Sequence, residues 1–213
     1  MASSSKLCVF CGSVATTKDH VPPKCIFPED RRENLITVPA CELCNSTTKK
    51  DDEYFRLIIA GVANDSSAAG EVLQYKILPG AEVRPGLLKK ITGTMELIDF
   101  HTETGIYIGQ KPAFTYEASR IHPVVSKIVK GLFYVRNSRT LAPEYEVDDF
   151  ILQPDLPDET IEALNTLPLY SVDNEVFQYR YYSEPGRMDH SYWFLMFYKS
   201  VLFFSRTVSD AEV

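Results

Sequence analysis

The chain has 213 residues, 45% hydrophobic and 24% charged, with a formal net charge of −7. These proportions fit one large globular domain or a small module joined to a larger one, and they exclude a fibrous or low-complexity chain. The acid is unevenly placed. Residues 1–56 hold eight basic and eight acidic side chains, whereas residues 57–213 hold 14 basic and 21 acidic ones, so only the first quarter is electrostatically open to phosphates.

In chain order, the first 50 residues are rich in Cys, Pro and Thr, with short apolar runs at Val9-Phe10 and at Leu35-Ile36-Thr37-Val38 that predict short strands. Such a segment buries too little apolar surface to hold itself and points to a metal-stapled module. No Gly or Pro interrupts residues 41–60, which predicts a helix opening at the second cysteine pair, with Asp51 and Asp52 suited to a fresh helix start. Phe55, Ile58, Ile59 and Val62 lie on one helical face. Residues 96–116 alternate around Thr104-Gly105 and predict a hairpin.

The clearest helix spans residues 121–135, where Ile121, Val124, Val125, Ile128, Val129, Leu132 and Phe133 form one stripe and Pro123 suits the first turn. A short helix is expected at 158–166, then aromatic-rich strands at 175–182 and 191–206. The expected fold is therefore α+β: a small N-terminal zinc-stapled module (residues 1–56), then a larger acidic domain with antiparallel strands (residues 57–213). The start of the chain, Met1 to Lys6, lacks an apolar leader core. The most apolar run, Tyr192 to Phe204, is broken by Lys199 and Ser200 and is shorter than the roughly 20 residues of a spanning helix. No membrane association and a cytoplasmic location are expected.

With no export signal, the five cysteines read as thiols or metal ligands rather than disulfides. Cys8-Val9-Phe10-Cys11 and Cys41-Glu42-Leu43-Cys44 are two C-x-x-C knuckles. Together they supply a tetrahedron of thiolates, the donor set of structural zinc. Iron suits the same cage, although iron–sulfur cluster spacings differ. Cys25 is left over and reads as a small buried hydrophobe.

Between the knuckles stand Asp19-His20-Val21-Pro22 and Asn34-Leu35-Ile36-Thr37-Val38, and Asn45 follows the second knuckle directly. In order and spacing this stretch, residues 6–50, resembles the HNH nuclease family (the ββα-metal or His-Me fingers). The resemblance implies metal-dependent cleavage of a phosphodiester bond, in DNA rather than RNA. It implies His20 as general base, Asp19 and Asn45 as ligands of a catalytic Mg²⁺ or Mn²⁺, and Asn34 as the brace of the histidine loop. No histidine follows one turn after Asn45, which leaves two evident protein ligands. Asp52 reads as a helix-start acid or an extra ligand.

Lys18, Lys24, Arg31, Arg32, Lys49 and Lys50 are candidate phosphate contacts. Tyr179, Tyr181, Tyr182 and Trp193 read as core packing ahead of base stacking, and His101, His122 and His190 as structural or solvated. Two rival readings stand: a zinc adaptor without catalysis, and an effector nuclease silent until a partner binds residues 57–213.

Overall fold

Helices and antiparallel strands are mixed throughout the computed structural model, the expected α+β class; it describes residues 6–63, 65–83, 85–102, 104–151 and 156–209. Residues 1–5, part of the leader-free reading, lie outside the described residues. No helix among those described is long and apolar enough to cross a membrane.

The first strand, Thr17–His20 (β1), pairs antiparallel with Thr37–Ala40 (β2), with His20 opposite Thr37 and Thr17 opposite Ala40. Glu42–Thr47 (α1) follows at once, capped by Cys41, whose sulfur accepts the Cys44 N–H. Thr48 separates α1 from Lys49–Val62 (α2). The uninterrupted run thus yields two helices, and Asp51 and Asp52 sit in the first turn of the second. The expected strand at Val9-Phe10 is instead the turn of the first knuckle: Cys8 N–H donates to Ser13 O and Gly12 N–H to Cys8 O, and only Leu7 and Val14 form a bridge. Gly12 takes φ 74°, which a side chain would resist.

Short helices Ser67–Val72 (α3), Leu78–Val83 (α4) and Gly86–Thr92 (α5) follow, with a π-helical turn at Leu73–Ile77. The hairpin is Glu96–His101 (β3) against Tyr107–Ala113 (β4), with Gly105 at φ 84° in its turn. Ala118–Asn137 (α6) buries every apolar residue of the predicted stripe. It begins three residues earlier than expected. Pro123 therefore falls in the second turn, where it cannot donate to the Ser119 carbonyl.

Tyr145–Ile151 (β5), Asp158–Thr166 (α7), Tyr170–Asp173 (β6), Phe177–Glu184 (β7), Arg187–Phe197 (β8) and Val201–Ser209 (β9) complete the chain. The five strands form one antiparallel sheet in the order β5-β9-β8-β7-β6.

The main core lies between this sheet and α2 and α6. Phe55, Phe133, Trp193, Phe197 and Phe203 are fully buried there, each side chain contributing on the order of 2–3 kcal/mol of burial energy. Tyr179 and Trp193 are buried as the alternation predicts, whereas Tyr182 is exposed on the other face of the sheet, stacked on Tyr192. Residue 56, the expected boundary, falls inside α2, whose first turn adjoins the knuckles and whose later turns enter the main core. A separate small cluster of Val9, Val21 and Val38, flanked by Phe10, Ile36 and Tyr134, fills the space under the knuckles. There α6 comes so close that a Cβ at Gly131 would lie 2.5 Å from Val21 Cγ1.

Candidate metal centre and the strand beside it

The first knuckle turn and the start of α1 bring Cys8, Cys11, Cys41 and Cys44 together, with all four sulfurs within 4.8 Å of one another. Cys11 and Cys41 sulfurs lie 3.7 Å apart. Sulfurs at about 2.3 Å from a tetrahedral zinc would be about 3.8 Å apart, so the cage has the size of a metal ion. Cys8 is wholly buried and Cys11 faces solvent. Hydrogen bonds from Ser13 lower the Cys11 thiol to about 6, while burial raises that of Cys44. The residues fit a four-thiolate ion, and the cluster can bind a metal such as zinc.

The antiparallel pair β1–β2 sets the next residues. Successive strand side chains leave on opposite faces, so Thr17 and Asp19 share the face toward α1, and Lys18 and His20 the other. Asn45, on α1, donates from its amide to Thr17 Oγ1 (3.1 Å) and to the Lys18 carbonyl (3.2 Å). It therefore ties helix to strand. Asp19 Oδ1 accepts its neighbour's N–H, from His20, at 2.9 Å. Asp19 Oδ2 is buried, and its partner by charge is the Lys127 ammonium of α6, 2.6 Å away. Asn45 is thus tied through its Nδ2 to the start of β1, and Asp19, near the end of the strand, is held by Lys127.

His20 is half-buried at the end of β1. Burial and the nearby Lys24 and Arg32 hold its imidazole below its ordinary pKa, against the opposing pull of Asp19. The ring is therefore mostly neutral near pH 7, the state a proton acceptor needs. Asn34 is exposed in the left-handed region, φ 59°, in the turn before β2. No side-chain hydrogen bond from Asn34 to the histidine loop is found among the described residues; the loop is held by Val21 N–H donating to Ile36 O (3.1 Å).

Of the candidate phosphate contacts, Lys18, Lys24, Lys49 and Lys50 are exposed. Arg31 turns to Glu71 and Asp173, and Arg32 to Glu29 and the Phe27 carbonyl. Lys24 and Arg32 are the two whose charge is felt at His20. Asp52 lies beside this site, accepting from Thr48 Oγ1 (3.4 Å). Burial and the proximity of Asp19 raise its carboxyl to about 6, with Lys127 acting in the opposite sense. The Cys25 thiol is pushed up to about 12 by burial and donates to the Asp52 carbonyl, in keeping with a structural cysteine.

Lys127 is the residue that sequence reasoning missed. It comes from α6, far along the chain, and donates to Cys44 O (3.0 Å) and Thr48 Oγ1 (2.9 Å) as well as pairing with Asp19. A lysine bordering an apolar helical stripe carries no signal of its partner. The other histidines lie elsewhere: His101 on the hairpin against Tyr107, His122 paired with Asp149, and His190 buried against Tyr145. No family model, curated protein or solved structure matches the chain.

Proposed function

We propose that the chain is a metal-dependent nuclease that hydrolyses phosphodiester bonds in nucleic acid, DNA rather than RNA, with the four cysteines holding a structural zinc. The observation that carries this reading is the β1–β2–α1 order of the module. Asp19-His20 ends its first strand, Asn45 stands on its helix against that strand, and the thiolate cage pins strand side to helix start.

His20, mostly neutral near pH 7, takes the proton of the attacking water. Lys24 and Arg32 supply positive charge near it. Bound Mg²⁺ or Mn²⁺ would neutralise the phosphate oxygens. In the arrangement described, the Lys127 ammonium already sits on the Asp19 carboxylate, so no step is derived through such an ion. Asn34 is assigned to shaping the turn that leads into β2. The acidic body suits recruitment to the substrate through a protein partner.

A second reading, a zinc-bearing adaptor without catalysis, is favoured by one observation: Asp19 and Asn45 already serve structural bonds. Incubation of the zinc-loaded chain with supercoiled plasmid separates the two. The nuclease nicks or linearises the plasmid with Mn²⁺ or Mg²⁺ and stops on chelation. Its Asp19→Ala and Asn45→Ala variants regain part of their lost activity at higher metal concentration. The adaptor leaves the plasmid intact under every condition.

A further inference from the structure

We infer that the Lys127 ammonium occupies the cation position of Asp19 in the free protein, so that a divalent ion gains this carboxylate only by displacing it. The inference deepens the nuclease reading and rests on it for the role of Asp19. Three oxygens of the module converge on Lys127 Nζ: the Asp19 carboxylate at 2.6 Å, the Thr48 hydroxyl at 2.9 Å and the Cys44 carbonyl at 3.0 Å. Carboxylate and carbonyl are hard donors of the kind Mg²⁺ and Mn²⁺ take. The ammonium donates to the carbonyl and the hydroxyl and forms an ion pair with the carboxylate.

Burial makes the competition strong. The side chains of Lys127 and Asp19 are only 17% and 14% exposed, so little water screens the ammonium from a second cation on the same carboxylate. Asp52, on the Thr48 side, adds a second acid that would attract whichever cation is present. The Phe10 ring, 5.1 Å from Nζ, offers a displaced ammonium another resting place.

The arrangement also says where control would come from. The three oxygens belong to the zinc-bearing module, and the ammonium belongs to α6 of the body. Any partner that shifts α6 against the module changes the cation affinity of Asp19 without touching the module itself.

The test measures Mn²⁺ binding to the zinc-loaded full chain without nucleic acid, by the spin-resonance signal of free Mn²⁺. Lys127→Met should bind one Mn²⁺ on the order of tenfold or more tightly than wild type, because a buried like charge has gone. Lys127→Arg, which keeps the charge, should stay near wild type, and Asp19→Asn in the Lys127→Met background should abolish the gain. An unchanged affinity in Lys127→Met, or a gain that survives Asp19→Asn, overturns the inference. Should Lys127→Met fail to hold zinc, wild type against Asp19→Asn decides. Equal weak binding supports masking of Asp19, and a wild type that binds at least tenfold tighter contradicts it. Cleavage is not read in this experiment. A shift in Mn²⁺ affinity here, combined with an intact plasmid in the separate cleavage assay, overturns the nuclease and leaves the Lys127 assignment standing.

Discussion

The knuckle end and the five-stranded sheet of this protein keep their shape by different means. Under the knuckles the buried cluster among the described residues is Val9, Val21 and Val38, and beside it stand four sulfurs that could hold a metal ion. The sheet and its two packed helices bury a continuous core that runs from Phe55 on α2 to Phe203 on β9. On the zinc reading the first region depends on an ion, whereas the second rests on apolar area. Helix α6 joins them, placing its stripe in the large core and Gly131 and Lys127 against the module.

The largest expected effect breaks one region and spares the other. Structural zinc contributes free energy on the order of 10 kcal/mol to modules of this kind. Strong chelation, or Cys41→Ser, should abolish amide protection in β1, β2 and α1, while the five-stranded sheet keeps its protection. Hydrogen exchange read by mass spectrometry checks this. Protein purified without added metal should carry one zinc per chain; a ratio near zero with the fold intact would remove zinc from the account.

The reverse experiment attacks the sheet side. Phe55 packs edge-on against Phe197, with ring centroids 5.2 Å apart, and lies 5.7 Å from Phe203. Phe55→Ala should lower global stability by about 3–5 kcal/mol in denaturant unfolding, with zinc content unchanged in the folded protein.

Gly131→Ala probes the joint between the regions. The new Cβ meets Val21 Cγ1 at 2.5 Å and Val21 Cβ at 3.1 Å, and valine is stiff at χ1. Overpacking of about 1–3 kcal/mol is offset by a gain of about 1 kcal/mol in helix propensity. A net loss of roughly 1 kcal/mol is expected, with exchange rising first in the His20–Val21 loop.

The smallest effect is electrostatic and belongs to the body. Arg139 donates twice to Asp189, at 2.9 and 2.8 Å, and Ala142 N–H donates to it at 3.2 Å. Burial pushes the Asp189 carboxyl up, but these donors outweigh it and hold the group below its ordinary range. A carboxyl depressed by folding adds stability above its unfolded pKa of about 3.9, and that contribution fades as pH falls toward the folded value. Asp189→Asn should cost about 0.5 kcal/mol at pH 7, since the Arg139 side chain is partly exposed, and the difference from wild type should shrink below pH 4. A constant difference across pH would remove this pair as the cause.

Much of this contrast was legible in the residues, for local reasons. The stripe on α6 and the alternation around Thr104-Gly105 are periodic signals that tertiary packing did not override. The C-x-x-C spacing likewise carries its own geometry, and the four sulfurs converge. Where a metal turn competed with strand propensity, as at Val9-Phe10, the turn prevailed, because the backbone donors of Cys8 and Gly12 are consumed within the knuckle.

Helices α3–α5 carry little periodic signal because they are short, α3 is interrupted by Gly70, and α4 by Pro79 and Gly80. β5 carries acids at Glu146, Asp148 and Asp149, which obscure the strand pattern. In the candidate site, residue identities and order were visible, but their bonds were not. The engagement of Asp19 by Lys127 spans more than half the chain, and Asn45 aims its amide at β1. Such pairings belong to tertiary structure and have no periodicity to betray them.

The most direct test of the nuclease reading is plasmid cleavage by zinc-loaded wild type and His20→Ala, side by side with Mn²⁺. His20→Ala should lose at least about a hundredfold in cleavage rate, as for removal of a general base. Zinc content and unfolding midpoint should be unchanged. Equal rates for the two proteins, or no cleavage by wild type with Mn²⁺ or Mg²⁺, would contradict that reading.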